Sequence, residues 1–139
     1  MTRSAVTAFA LDIVLVALFA AIGRASHDSA PFGLGLVTTA WPFLAALVVG
    51  WVVTLAWRRP AAPVRTGLGV WAVTVAGGMV LRAVTGQGTA LPFIIVATLT
   101  LLLLLVGWRV VATLMQARRR AQDGRSSHRA PSAPHAGRS

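Results

Sequence analysis

From Ser29 to Trp57, and again from Ala83 to Trp108, the chain carries no charged side chain. A helix needs about 20 mostly apolar residues to cross roughly 30 Å of hydrocarbon. Four stretches qualify, at about 5–22, 37–57, 66–84 and 90–111, the third being uncharged from Thr66 to Leu81 and closed by Arg82. They must be helices, because lipid offers no partner to a free backbone N–H or C=O. A membrane β-barrel would show polar-in alternation, and runs such as Leu101 to Val106 show none. The expected fold is an all-α, integral membrane four-helix bundle over residues 1–115.

Composition agrees. The 139 residues are 56% hydrophobic and 12% charged, with mean hydropathy +0.74. A soluble domain is nearer to a quarter charged. That excludes an ordinary water-soluble enzyme, and disorder of the chain as a whole. With no cysteine, disulfides and thiolate catalysis are excluded. The net charge is +10, from thirteen Arg against Asp12, Asp28 and Asp123. Such an excess suits nucleic acid or an anionic bilayer surface, and the apolar composition selects the bilayer.

Arg distribution sets the expected orientation. With four spans, Arg3, Arg58, Arg59, Arg65 and the Arg118, Arg119, Arg120 cluster share one side with both termini. The other side holds Arg24, balanced by Asp28, and Arg82. Both termini should therefore be cytoplasmic, with Trp41 in the outer aromatic belt and Trp57 and Trp108 in the inner one. Arg58, Arg59 and Arg118 to Arg120 are expected to contact anionic headgroups. Residues 116–139, rich in Arg, Ser, Pro and Gly, read as a basic disordered tail whose His128 and His135 suggest no metal site. A cleaved signal peptide is the competing reading of the first span, but Asp12 would interrupt its apolar core.

The order Arg-Ala, Thr-Ala-x-Pro-Phe, Trp-Arg occurs twice: Arg24-Ala25, Thr39 to Phe43 and Trp57-Arg58, then Arg82-Ala83, Thr89 to Phe93 and Trp108-Arg109. Two tandem hairpins would produce this. So, in part, would ordinary helix-start chemistry, in which Thr caps and Pro fills the first turn.

Asp12 is the residue most able to carry chemistry. It lies about 10 Å into its span, where an ionised carboxylate costs on the order of 2.5–3.5 kcal/mol or more unless it faces protein or water. Gly50, Trp51 and Thr74 fall at similar depth. The indole N–H groups of Trp51 and Trp71 need acceptors if buried, and Arg109 can reach upward to Asp12. The group Asp12, Trp51, Trp71, Thr74 and Arg109 is either a titrating proton or cation site or a hydrogen-bonded packing lock. At the outer end Arg24, His27 and Arg82 either line a mouth suited to carboxylate or phosphate or merely snorkel to headgroups. Gly67, Gly69, Gly77, Gly78 and the Ala72 to Ala76 step thin the third span for close packing, and Gly77-Gly78 would also permit a kink. The steps Ala17 to Ala21 and Ala46 to Gly50 repeat that spacing. No nucleophile–base pair, phosphate loop or metal spacing occurs, so neither an enzyme nor a cofactor is expected. With one His near the bundle, a bis-His haem within one chain is excluded.

The set Asp12, Gly23-Arg24-x-Ser26-His27, Pro42-Phe43, Gly50-Trp51, Gly78 with Arg82, Gly88-Thr89-Ala90 with Phe93, and Gly107-Trp108-Arg109 resembles the family called domain of unknown function 3054. These are small four-span proteins of actinobacteria and haloarchaea, and the likeness covers about residues 8–112. It implies a bacterial inner-membrane protein and no assigned activity. A looser likeness, of architecture alone, is to small multidrug-resistance transporters; there the acid is not Asp, and the Arg bias here argues against an antiparallel dimer. Two functions follow. One is a small-solute or proton carrier, titrating at Asp12, with Arg24, His27 and Arg82 as vestibule; four thin helices would then need a homo-oligomer. The other is a non-transporting scaffold or accessory subunit in which the same residues fix packing or dock a partner.

Overall fold

The computed structural model describes residues 2–27, 29 and 32–128. Four helices follow in chain order: α1 (Arg3–Ala25), α2 (Leu34–Thr54), α3 (Gly69–Val84) and α4 (Leu91–His128). Each of α1, α2 and α4, and α3 with the preceding wide turn Pro63–Leu68, is long and apolar enough to cross a membrane. Each packs on its chain neighbours and α1 closes on α4, giving an up-down-up-down ring. Asp28 and the tail beyond His128, including His135, lie outside the described residues.

Local chemistry sets the ends. The Thr2 hydroxyl caps α1 by accepting from Ala5 N at 3.3 Å. The left-handed Leu55 (φ 51°) terminates α2, followed by a 3₁₀ turn at Ala56–Arg58. The Pro63–Leu68 turn is π-type: Gly67 N reaches back five residues to Ala62 O at 3.0 Å. After α3, Gly86 (φ 70°) and Gly88 (φ 81°) take left-handed conformations that favour glycine.

In lipid, apolar burial does not discriminate between helix pairings, so close contact does. The α2–α3 seam supplies it. A methyl on Gly78 would collide with the Phe43 ring, one on Gly77 would come within 2.9 Å of Ala46 Cβ, and one on Gly50 within 3.3 Å of Val70 O. Phe43 cannot retreat, because it is fully buried with its centroid 5.3 Å from Phe19 and 6.2 Å from Phe93.

Three expectations change. Ala72 and Ala76 are exposed, so that small-residue step does not form the seam, and α3 runs unbroken through Gly77-Gly78. Pro42 lies well inside α2, which starts at Leu34, whereas Pro92 is in the first turn of α4. The two Thr-Ala-x-Pro-Phe copies thus occupy unlike places. Lastly, the boundary after residue 115 is not a helix end. The helix α4 continues to His128, exposed where the burial is described, because Ala, Arg and Gln favour helix and extending a formed helix is easy.

Gly78→Val should lower stability by about 1–3 kcal/mol through overpacking, whereas Ala72→Leu should be neutral. Thermal unfolding of the detergent-solubilised protein, read by gel filtration, distinguishes them.

Candidate functional site

Asp12 and Arg109 are the centre of the polar core, each 0% exposed. The guanidinium forks onto the carboxylate, Nη1 to Oδ1 at 2.9 Å and Nη2 to Oδ2 at 2.6 Å. Two indoles complete the shell. Trp51 Nε1 donates to Oδ2 at 2.9 Å and Trp108 Nε1 to Oδ1 at 2.8 Å. The carboxylate thereby accepts four hydrogen bonds, two on each oxygen, which fills its lone-pair sites. A bidentate, charge-assisted pair of this kind is among the stronger hydrogen-bonded arrangements.

Arg109 is itself held on several sides. Nε donates to Pro60 O at 2.9 Å and Nη1 to Leu105 O at 2.5 Å. Its stem lies against Gly67, where a methyl would come within 3.1 Å of Cδ. The Cζ atom sits 4.6 Å from the centre of the Trp108 ring. Nearby, Thr66 Oγ1 donates to Arg59 O at 2.7 Å and Thr113 Oγ1 to Ala61 O at 3.4 Å. The α2–α3 connection is thus tied beneath the ion pair.

The expected group of five divides. Asp12, Trp51 and Arg109 come together. Trp71 does not join them; its Nε1 donates to Thr98 O at 3.0 Å and ties α3 to α4. Thr74 is buried with an unpartnered hydroxyl. Trp108, expected in the inner belt, belongs to the Asp12 shell instead. Its neighbour Arg109 was the signal, because a side chain next to the carboxylate's counter-ion can reach the same acceptor. Trp41, within α2, and Trp57, in the turn that follows it, are both partly exposed.

The far end is different in kind. A cavity of about 380 Å³ is lined by Arg24, His27, Ser29, Thr39, Arg82 and Gln87, above Phe19 and Phe93. The three vestibule residues therefore do meet. Arg24 Nη1 donates to Thr39 Oγ1 at 3.3 Å, and the guanidinium presses on Gly35 so closely that a methyl there would displace it. Arg82 is oriented by the glycine turn: Nε to Gly88 O at 3.2 Å, Nη1 to Gln87 Oε1 and Nη2 to Gln87 O, both at 3.1 Å. Its Cζ stands 4.3 Å over the Phe93 ring. No carboxylate lines this cavity among the described residues. Even with Asp28 counted against them, two guanidiniums leave this end of the bundle positive. Thr39 and Gln87 were not foreseen, since isolated polar residues near span ends carry no pattern.

At the opposite end Arg58, Arg59 and Arg65 surround a cleft of about 250 Å³ with Thr54 and Thr66. Arg118, Arg119 and Arg120 lie on the exposed extension of α4.

These features define a four-span helical membrane protein with a buried arginine–aspartate core and an arginine-lined cavity. The chain matches the sequence pattern described as protein of unknown function (DUF3054) over residues 9–112, and it belongs to that family. No curated protein and no solved structure matches it.

Removing one partner of a buried ion pair strands the other charge and costs about 3–5 kcal/mol. Asp12→Asn and Arg109→Gln should each lose stability on that scale, and Asp12→Leu with Arg109→Met should recover part of the loss. Trp51→Phe and Trp108→Phe should cost less, about 1 kcal/mol each. Thermal unfolding of the single and double variants checks the ranking.

Proposed function

We propose that this protein is a non-transporting, anion-binding membrane protein: a bundle locked by Asp12 and Arg109 that presents a binding cavity built from Arg24, His27 and Arg82. The observation that carries the reading is that cavity, where two guanidiniums converge with hydroxyl and amide groups. Planar, forked Arg side chains suit carboxylate and phosphate oxygens. Three of the five Arg82 N–H groups are committed to Gln87 and Gly88, which leaves two for a ligand.

The surroundings of Asp12 favour this over a carrier that works through that residue. All four positions at which its carboxylate accepts are taken by donors of this chain, which leaves none for a passing solute. None of the three cavities described here, at either end of the bundle or along its side, is lined by Asp12. Binding without chemical conversion fits the lack of a nucleophile–base pair in the sequence.

The Arg bias supports an orientation with both termini cytoplasmic, so that the cavity faces outward, and the family resemblance supports a bacterial plasma membrane as the location. Arg58, Arg59, Arg118, Arg119 and Arg120 then meet the anionic inner leaflet. The chain has no native cysteine, so single cysteines at Ser4, Gln87 or Gln122 label cleanly. Reagent confined to the outside should modify position 87 alone; labelling of 4 or 122 from outside overturns the orientation.

Inorganic phosphate should raise the unfolding temperature of the purified protein, as a ligand of the native state must. Arg24→Gln and Arg82→Gln should abolish the shift, and Arg82→Lys should weaken it by keeping charge without the fork. Equal shifts in all four proteins would refute the anion site.

A further inference from the structure

The arginine-lined cavity has an apolar neighbour. A groove of about 590 Å³ runs between α1 and α4, walled by Phe19, Ile22, Pro92, Phe93, Val96 and Thr100. Cavity and groove adjoin, since Phe19, Gly23, His27, Ala90 and Phe93 line both. Each has the size of a ligand site. Their characters differ: the cavity gathers guanidinium, imidazole, hydroxyl and amide groups, whereas the groove is walled mainly by hydrocarbon and aromatic surface, with Ser26, His27 and Thr100 the polar residues along it.

The groove also has a direction. Ala90 lies at the level of the cavity, and Thr100 is about 15 Å further along α4 at 1.5 Å per residue. Both flanking helices are long and apolar enough to span the bilayer, so the groove descends from the polar end into hydrocarbon depth. Its rim is open: Ile22 is 52% and Val96 57% exposed. A water-borne anion would fill the cavity and leave this groove unused.

We infer that the ligand of the cavity is an anionic amphiphile of the bilayer, a long-chain phosphate or carboxylate whose head lies on Arg24 and Arg82 and whose tail lies in the α1–α4 groove. The inference rests on the anion-binding reading of the same cavity. Charge complementarity selects the head, and continuity with the hydrocarbon layer selects the tail. Because the tail leaves one apolar medium for another, the groove adds little driving force and contributes position instead. Specificity therefore comes from the head, while the groove decides whether a chain-bearing anion can seat at all.

The test uses full-length protein in dodecyl maltoside with hexadecyl phosphate, inorganic phosphate and hexadecyltrimethylammonium as separate probes, read by thermal shift and by native mass spectrometry. Wild type should retain one hexadecyl phosphate per chain and no hexadecyltrimethylammonium. Val96→Trp, or Ile22→Trp on the opposite wall, should weaken hexadecyl phosphate at least tenfold and leave the inorganic phosphate shift intact. Both positions are exposed, so neither change burdens the core. Arg82→Gln should lose both anions. If both groove variants bind hexadecyl phosphate as wild type does, the tail assignment fails while the anion site stands. If the cationic amphiphile binds as well as the anionic one, the head assignment fails. If Arg24→Gln and Arg82→Gln bind every probe unchanged, the underlying anion reading fails with it.

Discussion

The Asp12–Arg109 ion pair is the constraint on which the rest of the bundle depends. Two charges in a hydrocarbon slab are tolerable only when every lone pair and most donors are satisfied. Here the carboxylate takes two guanidinium nitrogens and two indoles, and the guanidinium also reaches Pro60 O and Leu105 O. These bonds come from α1, α2, α4 and the α2–α3 connection. A one-residue slide of any of them would strand a charge or a dipole. Register follows from that penalty rather than from apolar burial, which lipid cannot reward.

The remaining rigidity comes from shape. The α2–α3 seam closes because Gly77 and Gly78 leave room for Ala46 and Phe43. The buried ring of Phe43 in turn meets Phe19 and Phe93, which form the floor of the arginine-lined cavity. Packing in the middle of the bundle thus sets the cavity's depth, and the glycine turn at 86–88 aims Arg82 into it. One end is devoted to holding the helices together, and the other gathers two guanidiniums, an imidazole, hydroxyls and an amide around a cavity.

Much of this was legible in the residues. Long apolar runs, three of them uncharged and the first interrupted only by Asp12, located four helices, since nothing else in the chain could cross lipid. A carboxylate within a span demanded a partner, and Arg109 and Trp51 were within reach on helical rise alone. Trp108 was assigned to the interface because an indole beside a span-end arginine usually sits there. It moved inward because the Asp12 carboxylate still had an oxygen lone pair to fill. Trp71 went the other way, finding a backbone carbonyl at Thr98 that no sequence pattern announces. The helical extension past residue 115 was missed because composition describes average solvation, not whether an existing helix can propagate.

The sequence by itself determined that this chain is a four-span helical membrane protein with one costly buried acid, because the energetics of placing charge and backbone in lipid depend on residue type and spacing alone. Only the tertiary structure decided which partners that acid takes, that Ala72 and Ala76 face outward while Gly77 and Gly78 form the seam, and that Arg24 and Arg82 share a cavity beside an apolar groove. Those outcomes depend on helix rotation and mutual placement, which are set by contacts between residues distant in the chain.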